Sequence, residues 1–347
     1  MSVMEFARGL FYEQYFQSIP KPVASFAHKT VIITGANAGL GKEAARHILR
    51  LGCTHLILGV RNTTAGEEAR REILAEMPSL EPRIAVWEVD LSIFDSVAAF
   101  VQRANRELNR LDVLICNAGL NTFRFSESEG FEHTLTVNVL GTYLMASRLL
   151  PLLERTAAAG PIAGDPEPRP PHLCIVGSDT HLMAKFPEQH EPATKMLEAI
   201  TANCREKPSR FRVQYPTTKL LVLLMVRDLV YRQKRSGPSS GVDAIDKPEE
   251  KYPVIINVPN PGLCHSSLNR EVHTAGNFLN VIAHARPTDM GGSALVNAAA
   301  AGWETNGQFL NSNRVQKGSA LSWDSALGEK VVTAIEGCLK RVDTTEH

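Results

Sequence analysis

The chain has no Cys-x-x-Cys pair and no His-Glu-x-x-His among its 347 residues. Its six cysteines stand singly, at Cys53, Cys116, Cys174, Cys204, Cys264 and Cys338. No zinc site is readable from such spacing, and no metal is expected. Several of them fall in apolar runs, as reduced thiols of a cytoplasmic chain do. Charge of one sign is missing too, since 37 Lys and Arg balance 37 Asp and Glu. That balance argues against binding nucleic acid or anionic lipid through bulk charge. No apolar run approaches the ~20 residues that cross a bilayer, so no integral membrane segment is expected. The N-terminus lacks the basic start and apolar core of a signal peptide.

What is present is an apolar content of 44%, enough for a sizeable core, with 21% charged residues. Residues 1–28 read as a helical extension, with Phe6, Leu10 and Phe11 at helical spacing. Packing on the main domain is its simplest role, and contact with a membrane surface or partner is the alternative. Residues 29–347 read as one catalytic domain. Lys29 to Thr34 is a β-branched strand run directly followed by Gly35-Ala36-Asn37-Ala38-Gly39-Leu40-Gly41 and an apolar-periodic helix to about Leu51. Strand, glycine turn and helix form the context of a dinucleotide site. The glycines let backbone approach a pyrophosphate, and the helix start offers amide donors. The second strand, His55 to Val60, ends at Arg61 with no acidic residue. An acid there would hold the ribose hydroxyl of NAD, whereas an Arg suits the 2′-phosphate of NADP. Asn62 and Thr63 add hydrogen-bonding groups. NADP(H) is therefore expected over NAD(H).

Alternation continues in order. Thr63 to Glu76 is a polar helix. Arg83 to Val89 is a strand ending at Asp90 and Leu91, with Asp90 placed to meet the adenine. Ser92 is expected to cap a helix to about Leu108. Leu111 to Cys116 is a strand ending at Asn117, Ala118 and Gly119. Phe131 to Leu153 is a long helix carrying Asn138 among apolar residues. Leu173 to Val176 ends at Gly177 and Ser178, and Pro253 to Val258 ends at Pro259-Asn260-Pro261-Gly262. A helix near Asp289 to Gly302 and a strand from Gln308 to Leu310 complete the pattern. Such alternation implies a single doubly wound parallel sheet with helices on both faces. Three polar insertions interrupt it, near 157–171, 185–212 and 236–251, the second with a helix from about Ala193 to Cys204.

The remaining signal is Tyr215-Pro216-Thr217-Thr218-Lys219, opening an apolar helical run from Leu220 to Tyr231. Tyr and Lys four apart share a helix face. A nearby ammonium is expected to lower the phenol's pKa and make Tyr215 a proton donor or acceptor.

Together, Thr34 to Gly41, Asp90-Leu91, Asn117 to Gly119, Asn138, Ser178, Tyr215 to Lys219 and Asn260 to Gly262 resemble the short-chain dehydrogenase/reductase family, in the expected order. The closest likeness is to long fungal and retinol-dehydrogenase-like members. The resemblance implies a Rossmann fold and a catalytic set of Asn138, Ser178, Tyr215 and Lys219. Tyr215 would be the acid or base, and Ser178 would hold the substrate oxygen. Lys219 would hold the nicotinamide ribose and lower the pKa of Tyr215, and Asn138 would anchor a water toward Lys219. Gly35, Asn37, Gly39, Leu40, Gly41, Arg61, Asn62, Asp90, Leu91, Asn117, Ala118, Gly119, Tyr215, Lys219, Pro261, Gly262 and Ser266 would line the cofactor. Asp179 stands where a second serine is common. Ser178 is taken as catalytic from its register to His181. Ser178 and Tyr215 are 37 residues apart, which implies an insertion over the substrate side and a monomer or homodimer. His181 and His265 read first as structural or surface histidines, with pocket lining as the alternative, and the large side chains Phe186, Met196, Phe211, Leu268 and Phe278 are candidate pocket residues. They point to a bulky, apolar ketone, aldehyde or alcohol, in secondary metabolism by likeness to the fungal members. The competing reading is a non-redox isomerase, cyclase or NADP-binding regulatory module. A missing Tyr or Ser would have favoured it, and neither is missing.

Overall fold

The computed structural model describes residues 3–77, 83–236, 253–265, 268 and 285–343. An N-terminal helix, α1 (Val3–Phe16), precedes the first strand. The strand β1 (Thr30–Thr34) is buried along its whole length, as a continuous apolar run in a parallel sheet must be. It leads through the glycine turn into α2 (Gly39–Arg50), then β2 (His55–Val60), α3 (Thr63–Glu76), β3 (Arg83–Glu88), α4 (Phe94–Glu107) and β4 (Val113–Cys116). A two-strand hairpin, β5 (Glu127–Ser128) and β6 (Phe131–Glu132), opens the next helical stretch. That stretch is α5 (His133–Leu135), a π turn (Thr136–Gly141) and α6 (Thr142–Ala159). There follow β7 (His172–Ile175), α7 (Ala193–Glu206), α8 (Phe211–Ser236), β8 (Ile255–Asn260), α9 (Thr288–Ala298), β9 (Phe309–Asn311), β10 (Arg314–Gln316) and α10 (Ser325–Asp343).

The main sheet runs β3-β2-β1-β4-β7-β8-β9-β10, parallel except for the last edge strand. Strand order reverses between β1 and β4, which opens a crevice at their carboxyl ends. Side chains alternate across the sheet with period two. Val31 and Ile33 join one core with the helices α2 and α9, while Ile32 joins the other with α4, α6 and α8. In α8, Leu220 to Val226 are all buried. A helix apolar all round needs cover on both sides. The sheet lies on one side, and α10 covers the other with Leu327, Val331, Val332, Ile335 and Leu339.

Several expectations change here. The sheet does not end near 308–310, because β10 and α10 follow it. Ser92 does not cap α4, whose cap residue is Ile93. Its hydroxyl instead donates to Asp90 Oδ1 at 2.6 Å, and Glu129 accepts the Phe94 N–H from across the hairpin. Phe131 and Glu132 are strand rather than helix, and the buried Glu132 carboxylate accepts the Thr134 and Leu135 N–H groups at 2.8 and 3.0 Å. Tyr215 sits one turn inside α8 rather than at its start.

The first two insertions are largely at the surface, as expected of polar segments, yet each is anchored by a buried contact. After Ala159 the chain returns so that Asp165 pairs with the buried Lys29, and Arg169 lies 5.2 Å from the Phe26 ring. Residues 185–212 enclose a buried Arg210–Glu188 pair at 2.7 Å, and Asn203 donates to the other Glu188 oxygen. A buried pair keeps its charges only with such extra hydrogen bonds. Of the third insertion only Ser236 is described, as the last residue of α8; 237–251 lie outside the described residues.

Removing the α10 cover should expose the cost of this arrangement. Ile335→Ala, at a fully buried position, should destabilise the fold by about 2–4 kcal/mol. A lowered urea midpoint with unchanged slope would register it.

Candidate active site

The crevice where β1 and β4 part is shaped by three backbones in close contact. A Cβ on Gly41 would sit 2.5 Å from the Gly35 carbonyl and 2.6 Å from Asn117 Nδ2. One on Gly35 would meet Ala118 Cα at 3.0 Å. Gly39 has φ +55 and open space above it. The α2 start has no side-chain cap, its cap position being Ala38. Its first amides therefore point at the crevice without a protein acceptor from a capping side chain. Uncapped amides, a positive dipole end and bare glycine backbone fit a dinucleotide pyrophosphate. Asn37 and Leu40 flank these glycines.

At the end of β2, Arg61 is exposed and has no ion pair among the described residues. Asn62 caps α3, its side-chain oxygen accepting the Ala65 N–H at 3.0 Å. Asp90 is half-buried, and its Oδ1 takes both the N–H and the hydroxyl of Ser92. Leu91 is packed tightly below Gly141. Asn117 turns inward: its Nδ2 donates to the Thr34 carbonyl at 2.9 Å. Its predicted contact with a cofactor is thus to be sought in its backbone, while its side chain shapes the glycine turn. Pro261 and Gly262 close the crevice from the β8 side, with Gly262 at φ +75. Ser266 and Phe278 lie outside the described residues.

Tyr215, Lys219, Ser178 and Asn138 meet at the carboxyl ends of β4 and β7. Lys219 is buried and donates to the Val176 carbonyl at 2.7 Å. Burial pushes its pKa down to about 8. Tyr215 is half-buried, and its phenol is raised well above its ordinary value, mainly by burial. The Ser178 hydroxyl beside it works in the opposite direction. The lowering by Lys219 expected from sequence is not what dominates: Lys219 Nζ stands 5.5 Å from the Tyr215 ring, and desolvation outweighs it. Tyr215 therefore rests as a protonated phenol, the form of a proton donor.

Asn138 lies in the π turn, a helix form frequent at functional sites. Its side chain binds the Leu120 backbone twice, N–H to Oδ1 and Nδ2 to carbonyl, both at 2.9 Å, and also donates to Thr218 Oγ1 at 3.2 Å. It thereby pins the segment that leaves β4. Glycine at 119 is needed because a Cβ would sit 3.1 Å from Asn138 Oδ1.

His181 is buried, not a pocket wall. Its Nδ1 bonds the Ser178 carbonyl at 2.6 Å, while Nε2 accepts the Ser319 N–H at 3.2 Å. Burial lowers its pKa to about 4, so it stays neutral. The structural reading of His181 is thus the one the structure supports, as a strut three residues beyond Ser178. His265 is exposed. Phe186, Met196 and Phe211 are core residues, and Leu268 is half-buried. An apolar side chain the sequence reading did not single out is Phe123, exposed on the segment leaving β4, while Phe125 is half-buried against Phe211. Among the described residues no helix is long and apolar enough to cross a membrane, and none of the His, Cys, Asp and Glu groups forms a metal cluster.

The family model described as short chain dehydrogenase matches residues 29–163. The short chain dehydrogenase/reductase dmxR8 of Cryptosporiopsis sp. is 36% identical over 306 residues, covering 87% of this chain and 87% of that protein. Among solved structures, an uncharacterized protein from Mycobacterium paratuberculosis superposes with TM-score 0.65 at 23% identity, over 92% of this chain and 96% of its own. The Pseudomonas aeruginosa RhlG/NADP active-site complex gives 0.57 at 19% identity, over 87% of this chain and 100% of its own. Both share the fold.

The glycine turn gives a direct test. Gly41→Ala forces its Cβ into the Gly35 carbonyl, so nicotinamide-nucleotide affinity should fall tenfold or more while circular dichroism stays native. Titration followed by nicotinamide fluorescence measures it.

Proposed function

We propose that this chain, which belongs to the short-chain dehydrogenase/reductase family, is an NADP(H)-dependent oxidoreductase that interconverts a ketone or aldehyde and an alcohol. The observation that carries the reading is the meeting of Tyr215, Ser178 and Lys219 beside an uncapped glycine-rich helix start. The catalytic unit is residues 29–347, with 1–28 as an extension that packs on it.

When bound, the nicotinamide supplies or accepts the hydride at the carbonyl carbon. The protein supplies position and the proton. Ser178 donates a hydrogen bond toward the substrate oxygen and fixes it near Tyr215. Tyr215, protonated at rest, gives its O–H proton to that oxygen as charge develops on it, and takes it back in oxidation. Lys219 keeps one N–H on the Val176 carbonyl. Its remaining donors are free to hold the cofactor ribose and to stabilise the phenolate left after transfer. Asn138 fixes Leu120, and with it the approach of the β4 segment.

Preference for NADP(H) rests on Arg61. It is exposed, without an ion pair among the described residues, and follows a strand end with no acid. A guanidinium matches phosphate in a bidentate fork. The exposed Phe123 favours a bulky, largely apolar substrate. Secondary metabolism, a cytoplasmic site and a monomer or homodimer complete the proposal, on the strength of the likeness to fungal members.

Two variants test it. Arg61→Ala should weaken NADPH binding about tenfold or more, near ~1.4 kcal/mol, and leave NADH binding unchanged, by the same fluorescence titration. Tyr215→Phe should bind NADPH normally yet lose about 10²–10⁴-fold in reductive turnover. Retained turnover in that variant would sink the oxidoreductase reading.

A further inference from the structure

The turn that follows β7 holds Ser178 at its carbonyl and at its hydroxyl. His181 is buried, and its Nδ1 bonds the Ser178 carbonyl at 2.6 Å. A carbonyl can only accept, so Nδ1 carries the proton and Nε2 is left to accept the Ser319 N–H at 3.2 Å. Ser319 caps the short turn Ala320–Trp323, which Arg227 of α8 grips through the Ser322 hydroxyl at 2.6 Å. The helix that carries Tyr215 thus helps to hold the Ser178 backbone. The Thr180 N–H donates to Ser178 Oγ at 3.2 Å and holds the side-chain torsion. What remains free is rotation of the Ser178 O–H bond.

A hydroxyl has one hydrogen and two lone pairs. Thr180 Oγ1 lies 2.9 Å from Ser178 Oγ, a good distance between two hydroxyls, either of which can donate. A substrate carbonyl can only accept. Once it takes the Ser178 hydrogen, the Thr180 contact survives only with Thr180 as the donor. The N–H and hydroxyl of Thr180 then fill both lone pairs of Ser178 Oγ, and its hydrogen points to a third acceptor. In the free site that acceptor is Asp179 Oδ1 at 3.3 Å, long for an O–H···O bond and readily given up. With substrate present the bonds form a chain, from Thr180 to Ser178 to the substrate oxygen, and each polarises the next. Hydrogen bonds to a charged acceptor are roughly twice as strong, so the chain gains most as hydride arrives and the oxygen becomes negative.

We propose that Thr180 is a positioning residue of the active site. Its hydroxyl commits Ser178 to donating toward the substrate oxygen and strengthens that bond as charge develops. The proposal rests on the oxidoreductase reading above. Thr180 acts through Ser178 alone, and its methyl group has no part in the effect.

The test sets Thr180→Val, which keeps the shape and loses the hydroxyl, against Thr180→Ser, which keeps the hydroxyl and loses the methyl. Thr180→Ala repeats the loss of the hydroxyl without adding a methyl. The probe is a bulky aryl ketone reduced in a single turnover with saturating NADPH. Thr180→Val and Thr180→Ala should each slow the hydride step about five- to tenfold. Ketone KM and NADPH affinity should stay within about twofold, since the lost bond matters most in the transition state. Thr180→Ser should recover most of the rate. On a Ser178→Ala background Thr180→Val should cost nothing further, because the hydroxyl it serves is gone. A slow Thr180→Ser beside an unimpaired Thr180→Val is the mark of packing and overturns the proposal. So does a Thr180→Val loss that returns in full on the Ser178→Ala background, or one confined to NADPH affinity or thermal stability. Should Thr180→Val match wild type while Tyr215→Phe is inactive, only this inference fails. Should the wild type reduce no ketone or aldehyde, or Tyr215→Phe stay active, the oxidoreductase reading fails and this inference with it.

Discussion

The site depends on how two adjacent strand ends are held while their chains diverge. Thr34 closes β1, and Asn117 follows β4. Thr34 Oγ1 accepts the N–H groups of Asn117 and Ala118, both at 3.0 Å, and Asn117 Nδ2 returns a bond to the Thr34 carbonyl. This clamp fixes the point where the strand order reverses. On one side the glycine turn leaves toward α2, and on the other the Ala118-Gly119 segment leaves toward Asn138. The gaps around Gly35 and Gly41 are narrow because the clamp brings Asn117 within reach of both. Loosening it would displace the glycine turn and the Ala118-Gly119 segment together.

Burial, more than pairing of charges, sets the state of the catalytic groups. Lys219 loses basicity and Tyr215 loses acidity by the same desolvation. Each is thereby moved toward its neutral form, the lysine toward the amine and the tyrosine held as the protonated phenol. The site adds hydrogen bonds to fix geometry rather than charge. Lys219 holds Val176, Asn138 holds Leu120, and His181 ties the Ser178 carbonyl to Ser319. Each bond joins a strand end to a helix or to the C-terminal region.

That pattern explains what was legible in the sequence. Residue types tied to local chemistry could be read: glycines before a helix, Tyr and Lys one turn apart, Arg after a non-acidic strand. Alternating apolar runs marked the strands and implied a doubly wound parallel sheet. What could not be read were partners distant in the chain. Asn117 looked like a ligand contact, but its amide serves a residue 83 positions earlier. Ser92 looked like a cap, but the nearby Asp90 offers its hydroxyl a charged acceptor. Phe186, Met196 and Phe211 looked like a pocket lining, since a core and a cleft use the same side chains. The amphipathic spacing of α10 was readable, and the long buried run of α8 required some such cover.

The segments beyond the minimal sheet are bound to it by buried charge, and this bears on how the site is built. Arg286 is the clearest case. It is almost fully buried, and it donates to Pro261, to the last carbonyls of α1 and to Ser312 after β9. One guanidinium thus braces the cofactor-side turn, the N-terminal helix and the sheet edge. A buried cation is costly unless hydrogen-bonded, and here backbone carbonyls and the Ser312 hydroxyl engage the Nη donors while Nε finds no partner among the described residues. The consequence is mechanical coupling. A shift of α1 would either break its bonds to Arg286 or draw that side chain off Pro261 and Ser312, so the helix and the turn at Pro261-Gly262 are linked through one side chain. An extension that lies outside the sheet is therefore tied to the turn that follows β8.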